Sequence, residues 1–274
     1  MGRSSASACN TVKKCNSQKI LSGRTSLQTL AELCSLPLSV YVCEGSFWIA
    51  VHEQVAATLR EYALGSSDGG PLTAVHTANK LIRLTGTSPT SSQTDALVSL
   101  RLSPEEAIFL ALAAGNVHFY HVTTGLRSLE DTWHSCVSGS SSFVHKYIAY
   151  HHYRSKGWIP RSGLQYGTDL VLYEEHPSLV HSTMCVIIVA TAPPASHTDQ
   201  ISSSTSHGTD GALPWHDVEG INRLCIRVGK KLVLLYVQPQ RQDVDLTTPA
   251  CLDSFAVSEC MVDRWVPEAS INLM

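Results

Sequence analysis

Three side chains with complementary proton and charge chemistry sit around apolar runs in the second half of this sequence. Tyr173 closes the run LVLY, His181 follows eight residues later across EEHPSLV, and Lys230 stands just before LVLLYV. Two antiparallel strands joined by a turn at Pro177 bring Tyr173 and His181 to one end of a sheet, with His181 opening the second strand. Lys230, read as ending an amphipathic helix over Ile221 to Lys231, delivers an ammonium to the same edge. Divalent metals prefer clustered oxygen or thiolate ligands, so a Tyr, a His and a Lys suit metal-free acid-base chemistry instead. Cleaving RNA through its own 2′-hydroxyl needs a base for that hydroxyl, an acid for the departing 5′-oxygen and a cation for the phosphorane. As a residue type His exchanges protons near pH about 6.5, whereas Tyr and Lys, at about 10 and 10.4, start protonated. Lys230 is therefore the natural charge stabiliser, and the acid and base roles of Tyr173 and His181 stay open.

Each residue also has a plain structural reading. A Tyr at a strand end packs half-buried, a His after a turn is a surface group, and Lys230 beside Lys231 is a favourable cation at a helix C-terminus. A metal reading rests on Glu174, Glu175, His176 and His181 in EEHPSLVH, without the spacing of a chelating helix. His151 and His152 fall on adjacent helix faces and are read as solvent-facing.

The chain has 274 residues, 43% hydrophobic and 16% charged, enough for one large domain or two small ones. Its apolar runs, such as Met184 to Ala190 and Leu232 to Val237, are far below the ~20 residues of a membrane span and read as buried strands. Nine scattered cysteines without CxxC argue for a reducing compartment and against a disulfide framework or a zinc knuckle. Cys185 and Cys225 read as small buried hydrophobes. A net charge of -3 restricts nucleic-acid binding to a local patch. No GxxxxGK[ST] or GxGxxG loop occurs, which disfavours a nucleotide-binding fold.

The elements that must position the triad follow from local signals. Residues 1–35 are Ser-rich, basic and nearly free of acids, as in a disordered tail or an organelle transit peptide; Ala6 speaks against myristoylation. Residues 36–122 predict a small α/β domain: two strands around Glu44-Gly45, a helix from Glu53 to Leu64, a strand from Ala96 to Leu102, and a helix in SPEEAIFLALAAG. That helix has Ser103 as N-cap, Pro104 in its first turn, a capping-box Glu106 and Gly115 past its end. TTGLRSLEDTWHSCVSGSSS carries no clear element. Residues 123–270 predict a mixed β-sheet flanked by helices. One helix runs over FVHKYIAYHHYRS from Ser142; another places Trp215, Val218, Ile221, Leu224, Cys225 and Val228 on one face; the last strand lies in SFAVSECMVDRWV. Residues 191–213, rich in Ser, Thr, Pro and Gly, read as an exposed insert. The fold class is α/β throughout.

RSKGW, RSGLQYGTDLVLY and His181, followed by NRLCIRVGKKLVLLYV and DRWVP, occur in the order that marks a known family. Over roughly residues 100 to 267 the sequence resembles catalytic subunits of the tRNA-splicing (tRNA-intron) endonuclease, nearest the subunit cutting the 5′ splice site, in its plant and algal form. Leu170 stands where the family usually has Phe. The resemblance implies Tyr173, His181 and Lys230 as catalytic residues, with the tyrosine commonly proposed as base and the histidine as acid. It implies Arg223 and Trp265 as a cation–π clamp on a bulged intron nucleotide, at the site cut by the partner subunit. It further implies a metal-independent, cofactor-free cleavage of intron-containing precursor tRNA to a 2′,3′-cyclic phosphate and a 5′-hydroxyl. The expected assembly is a heterotetramer with one more catalytic and two structural subunits, in the nucleus, unless the N-terminal tail directs it to an organelle. A structural-subunit role is the alternative. Arg154, Lys156, Arg161, Arg227 and Arg264 are candidate phosphate contacts, and the acidic segment Gln242 to Leu246 is a candidate docking loop.

Overall fold

Alternating burial along the first two strands shows how this chain builds its sheets: β1 (Leu38–Cys43) and β2 (Ser46–His52) bury every second residue and turn through Gly45 at φ +74°. The computed structural model describes residues 37–43, 45–66, 97–121, 123–191 and 214–263. The N-terminal tail, almost all of the Ser/Thr-rich insert, Arg264 and Trp265 lie outside the described residues.

The remaining elements are α1 (Glu53–Glu61), β3 (Leu97–Leu102), α2 (Pro104–Ala114), β4 (Val117–His121), β5 (Gly125–Arg127), α3 (Leu129–Gly139), α4 (Phe143–Ser155), β6 (Ile159–Ser162), a 3-10 turn (Leu164–Tyr166), β7 (Leu170–Tyr173), β8 (Met184–Ala190), α5 (Trp215–Arg227), β9 (Lys231–Pro239), a second 3-10 segment (Pro249–Ser254) and β10 (Phe255–Val262). They form two five-stranded mixed sheets, β3-β2-β1-β4-β5 and β10-β9-β8-β7-β6. Each contains one parallel pair, β1 with β4 and β8 with β9.

One core joins both sheets. Leu38, Val40 and Ile49 of the first, Trp133 of α3, Val144 and Tyr147 of α4, and Leu172, Val186 and Leu235 of the second pack in a single buried cluster. On the opposite face of the second sheet, Val171, Cys185, Ile187, Leu232 and Leu234 meet Val218 and Cys225 of α5. The second sheet is thus covered on both sides. Arg154, at the end of α4, ties the two halves: its guanidinium donates to the carbonyls of Tyr62 and Ala63 at 2.9 and 2.8 Å and to the Tyr150 hydroxyl at 2.9 Å. Ala63 presents its carbonyl from φ +50°, a left-handed conformation uncommon for a residue with a Cβ.

Several expectations are met in detail. Around α2 the Ser103 hydroxyl accepts from Glu106 N, the Glu106 carboxylate accepts from Ser103 N, and Gly115 takes the left-handed cap. Others need correction. The helix predicted to reach Leu64 ends at Glu61, because the chain turns through Ala63 to meet Arg154. The segment left without an element contains β5 and α3, the latter capped by Ser128 and Asp131 and carrying the fully buried Trp133. Helix α5 buries Val218, Asn222 and Cys225, while Trp215, Leu224 and Val228 are exposed, so its inward face is rotated and narrower than predicted. No helix among the described residues is long and apolar enough to cross a membrane.

Candidate active site

The triad is gathered by strand register. β7 and β8 pair antiparallel with Leu172 opposite Met184, and Thr183 N donates to the Leu172 carbonyl at 3.0 Å. Tyr173, the next residue of β7, therefore ends level with Thr183. β8 and β9 pair in parallel with Met184 opposite Lys231, and Lys231 N donates to the Thr183 carbonyl at 3.0 Å. Tyr173, the segment His181 to Thr183, and Lys230 meet at one end of three neighbouring strands. Two corrections attach to this picture. His181 lies in the loop entering β8, whose first paired residue is Met184, and its side chain is exposed. Lys230 is not on the helix: α5 stops at Arg227, Gly229 takes φ +69°, and Lys230 N returns to the Cys225 carbonyl at 2.8 Å. That left-handed glycine turns the chain so that the ammonium lies over the end of the sheet.

Lys230 is only 8% exposed, unusual for a lysine. Its Nζ donates to the Ser182 carbonyl at 2.8 Å and stands 5.1 Å from the centre of the Tyr166 ring. An ammonium has three protons, so two remain for an incoming anion. Behind it lie the fully buried thiols of Cys185 and Cys225, both within electrostatic range of Lys230. A hydrogen bond between the thiols, supported by Thr168 and Lys230, lowers the Cys185 pKa, whereas that bond together with burial raises that of Cys225. Tyr173 is half-buried against the α5-side cluster.

The turn before β7 explains the RSGLQYGTDL motif in physical terms. A Cβ on Gly163 would lie 2.3 Å from the Thr168 hydroxyl and 2.8 Å from its carbonyl, so only glycine fits. The Asp169 carboxylate accepts from Ile188 N at 2.8 Å and locks the turn onto β8. Tyr166, a member of the site that reasoning from residue types missed, is held by this turn; its place inside the motif was the only signal.

Other candidates separate. Arg223 is exposed, pairs with Glu219, and with Arg227, Trp215, Ile226 and Val262 lines a groove of about 650 Å³. Asp263, two residues before Trp265, lines the same groove. Arg154 spends three of its five N–H donors within the molecule, on Tyr62, Ala63 and Tyr150. Arg161 pairs with the buried Glu106 at 2.9 Å, and Lys156 with Glu259 at 2.9 Å, so neither is a free cation. His152, read as solvent-facing, also bonds Glu259, at 3.0 Å. The His176 ring is bonded to the Ser178 hydroxyl and the Arg60 carbonyl, and no group of three or more His, Cys, Asp or Glu among the described residues is arranged to hold a metal ion. Within Gln242 to Leu246, the Leu246 carbonyl accepts from Trp133 Nε1 at 2.9 Å and Val244 packs on the core, which ties the segment to its own chain.

Residues 143–246, which run from the start of α4 through the triad to beyond β9, match the family described as tRNA intron endonuclease, catalytic C-terminal domain. The chain belongs to the tRNA-splicing endonuclease family. It is 36% identical over 171 residues to tRNA-splicing endonuclease subunit Sen2-1 of Arabidopsis thaliana, covering 62% of this chain and 66% of that protein. It is 35% identical over 169 residues to subunit Sen2 of Gallus gallus (61% and 34%) and 29% identical over 189 residues to subunit SEN2 of Saccharomyces cerevisiae (62% and 42%). The chain thus spans about two thirds of the plant relative's length and about a third of the chicken protein's.

Proposed function

We propose that this chain is a metal-independent endoribonuclease subunit that cuts precursor tRNA at an exon-intron junction, the 5′ one, leaving a 2′,3′-cyclic phosphate and a 5′-hydroxyl. The observation that carries this reading is the convergence of Tyr173, His181 and the nearly buried Lys230 at one end of β7, β8 and β9. Tyr173, having given its own phenol proton to solvent, takes the proton of the 2′-hydroxyl as that oxygen attacks phosphorus. The bond to the 5′-oxygen then breaks, and that oxygen takes a proton from His181. Lys230, shielded from water and tethered by Ser182, faces the charge gathering on the non-bridging oxygens, where a partly desolvated cation acts most strongly. Arg223 and Trp265 would clamp an intron base at the junction cut by the partner subunit. The working form is a heterotetramer with one more catalytic and two structural subunits, acting in the nucleus.

The test is cleavage of an intron-containing precursor tRNA, in EDTA, by the complex reconstituted with wild-type chain or with His181→Ala. The variant should slow the 5′ cut by about 10²–10⁴-fold and spare the 3′ cut. If both cuts persist, the chain is a structural subunit. If EDTA abolishes wild-type cleavage, the chemistry argued above is wrong.

A further inference from the structure

Of the groups around the triad, the Tyr166 ring is one to which strand register and proton chemistry give no part. It is half-buried, packs on the α5-side cluster, and presents its π-face to the Lys230 ammonium at 5.1 Å. A lysine removed from water needs compensation for lost hydration. Among the described residues no carboxylate pairs with Lys230, whose neighbours are the Ser182 carbonyl, this ring and the thiols of Cys185 and Cys225. A carboxylate in that place would hold the ammonium more firmly, but would also cancel the charge that the phosphorane needs. An aromatic face attracts the cation while leaving its charge and its free protons available to a phosphate.

We propose that Tyr166 is a positioning residue for the cleavage reaction, a neutral cation–π shelf that aims Lys230 across the end of the sheet at the reacting phosphate. The inference rests on Lys230 having the role given under Proposed function. The ring, not the hydroxyl, does the work. Its place is set by the 3-10 turn over Leu164–Tyr166, which Gly163 and Thr168 allow to close tightly.

The experiment replaces Tyr166 in the reconstituted complex by Phe, and then by phenylalanines carrying two and three ring fluorines, which keep the shape and progressively remove the negative face. Single-turnover cleavage should be kept by Tyr166→Phe. It should then fall stepwise across the fluorinated series, by about 3- to 30-fold in all, the equivalent of ~0.7–2 kcal/mol at 1.36 kcal/mol per decade, with precursor binding unchanged. A rate that stays flat across the series overturns the proposal. A second readout does not depend on activity. In protein labelled with ¹³Cε-lysine, the Lys230 signal, assigned by its absence in Lys230→Met, should be shifted upfield by the ring and return toward the ordinary lysine position in Tyr166→Leu. Absence of that shift in the wild type also overturns the proposal. Should Lys230→Met cleave as fast as wild type while the shift is present, the role given to Lys230 fails and the shelf is a structural contact alone.

Discussion

The two sheets have the same strand count and one parallel pair each, yet they are clothed differently. In the first, β1 and β2 bury every second residue, and the other face bears a cross-strand row of Arg101, Trp48, Tyr41 and Tyr120 in register. Tyr41 stacks on Tyr120 at 5.7 Å and Arg101 lies over Trp48 at 6.0 Å, half in water. In the second, β9 buries four consecutive residues, because α4 covers one face and α5 the other. The site belongs to the doubly covered sheet, at the end where its strands run out. There Lys230 is shielded enough from water for its charge to count, as its proposed role requires. Among the described residues the first sheet offers no such doubly covered end.

Four tests break or sharpen this contrast, in descending effect. Trp133→Ala empties the core shared by both sheets and removes the donor to Leu246; it should cost about 3–5 kcal/mol in denaturant titrations and unfold both sheets together. Separate transitions would show that the sheets are independent. Arg154→Ala strands the Tyr62 and Ala63 carbonyls and should cost about 2–4 kcal/mol, with little recovery in Arg154→Lys, since one ammonium does not span three divergent acceptors. Ile187→Thr places a hydroxyl under α5 and should cost about 1.5–3 kcal/mol, whereas Trp48→Thr on the open face should cost below about 1 kcal/mol; equal costs would erase the contrast. Smallest is Glu259, on β10, whose pKa is lowered from 4.5 to about 2 by the His152 hydrogen bond first and by Lys156. A depressed carboxylate stabilises the fold above pH 4.5 and loses that contribution as pH falls toward 2. Because the pair is a third exposed, Glu259→Gln should remove at most a few tenths of a kcal/mol of acid sensitivity in that window, read as Tm against pH.

Much of this architecture was readable beforehand, for reasons that differ element by element. Helix α2 announces itself through Ser103, Pro104, Glu106 and Gly115 because each satisfies a backbone demand within four residues. β8 and β9 are plain because strands covered on both faces are continuously apolar. Helix α3 was overlooked although Ser128 and Asp131 repeat the capping-box spacing, since its polar, Ser-rich sequence hides the single large residue, Trp133, that anchors it. The inward face of α5 was misjudged because Asn222 is buried and Trp215 borders an open groove, a reversal that only tertiary context decides. For the candidate site, residue type and resemblance single out Tyr173, His181 and Lys230, and the strand register brings them to one end of the sheet. The contacts that hold Lys230 were not legible, because Ser182 and Tyr166 reach it through a turn and a parallel crossover rather than through neighbouring sequence. Arg154 looked like a surface cation because nothing local reveals acceptors about ninety residues away.

That same arginine has a consequence for how the protein can vary. Toward the N-terminal half its clamp grips main-chain oxygens alone, so these two hydrogen bonds do not depend on which side chains stand at positions 62 and 63, provided the left-handed bend survives. Glycine or asparagine would keep that bend with less strain than Ala63. Side chains at this joint can therefore change without breaking the Arg154 contacts that link it to α4, the helix packed under the strands whose ends carry Tyr173 and Lys230.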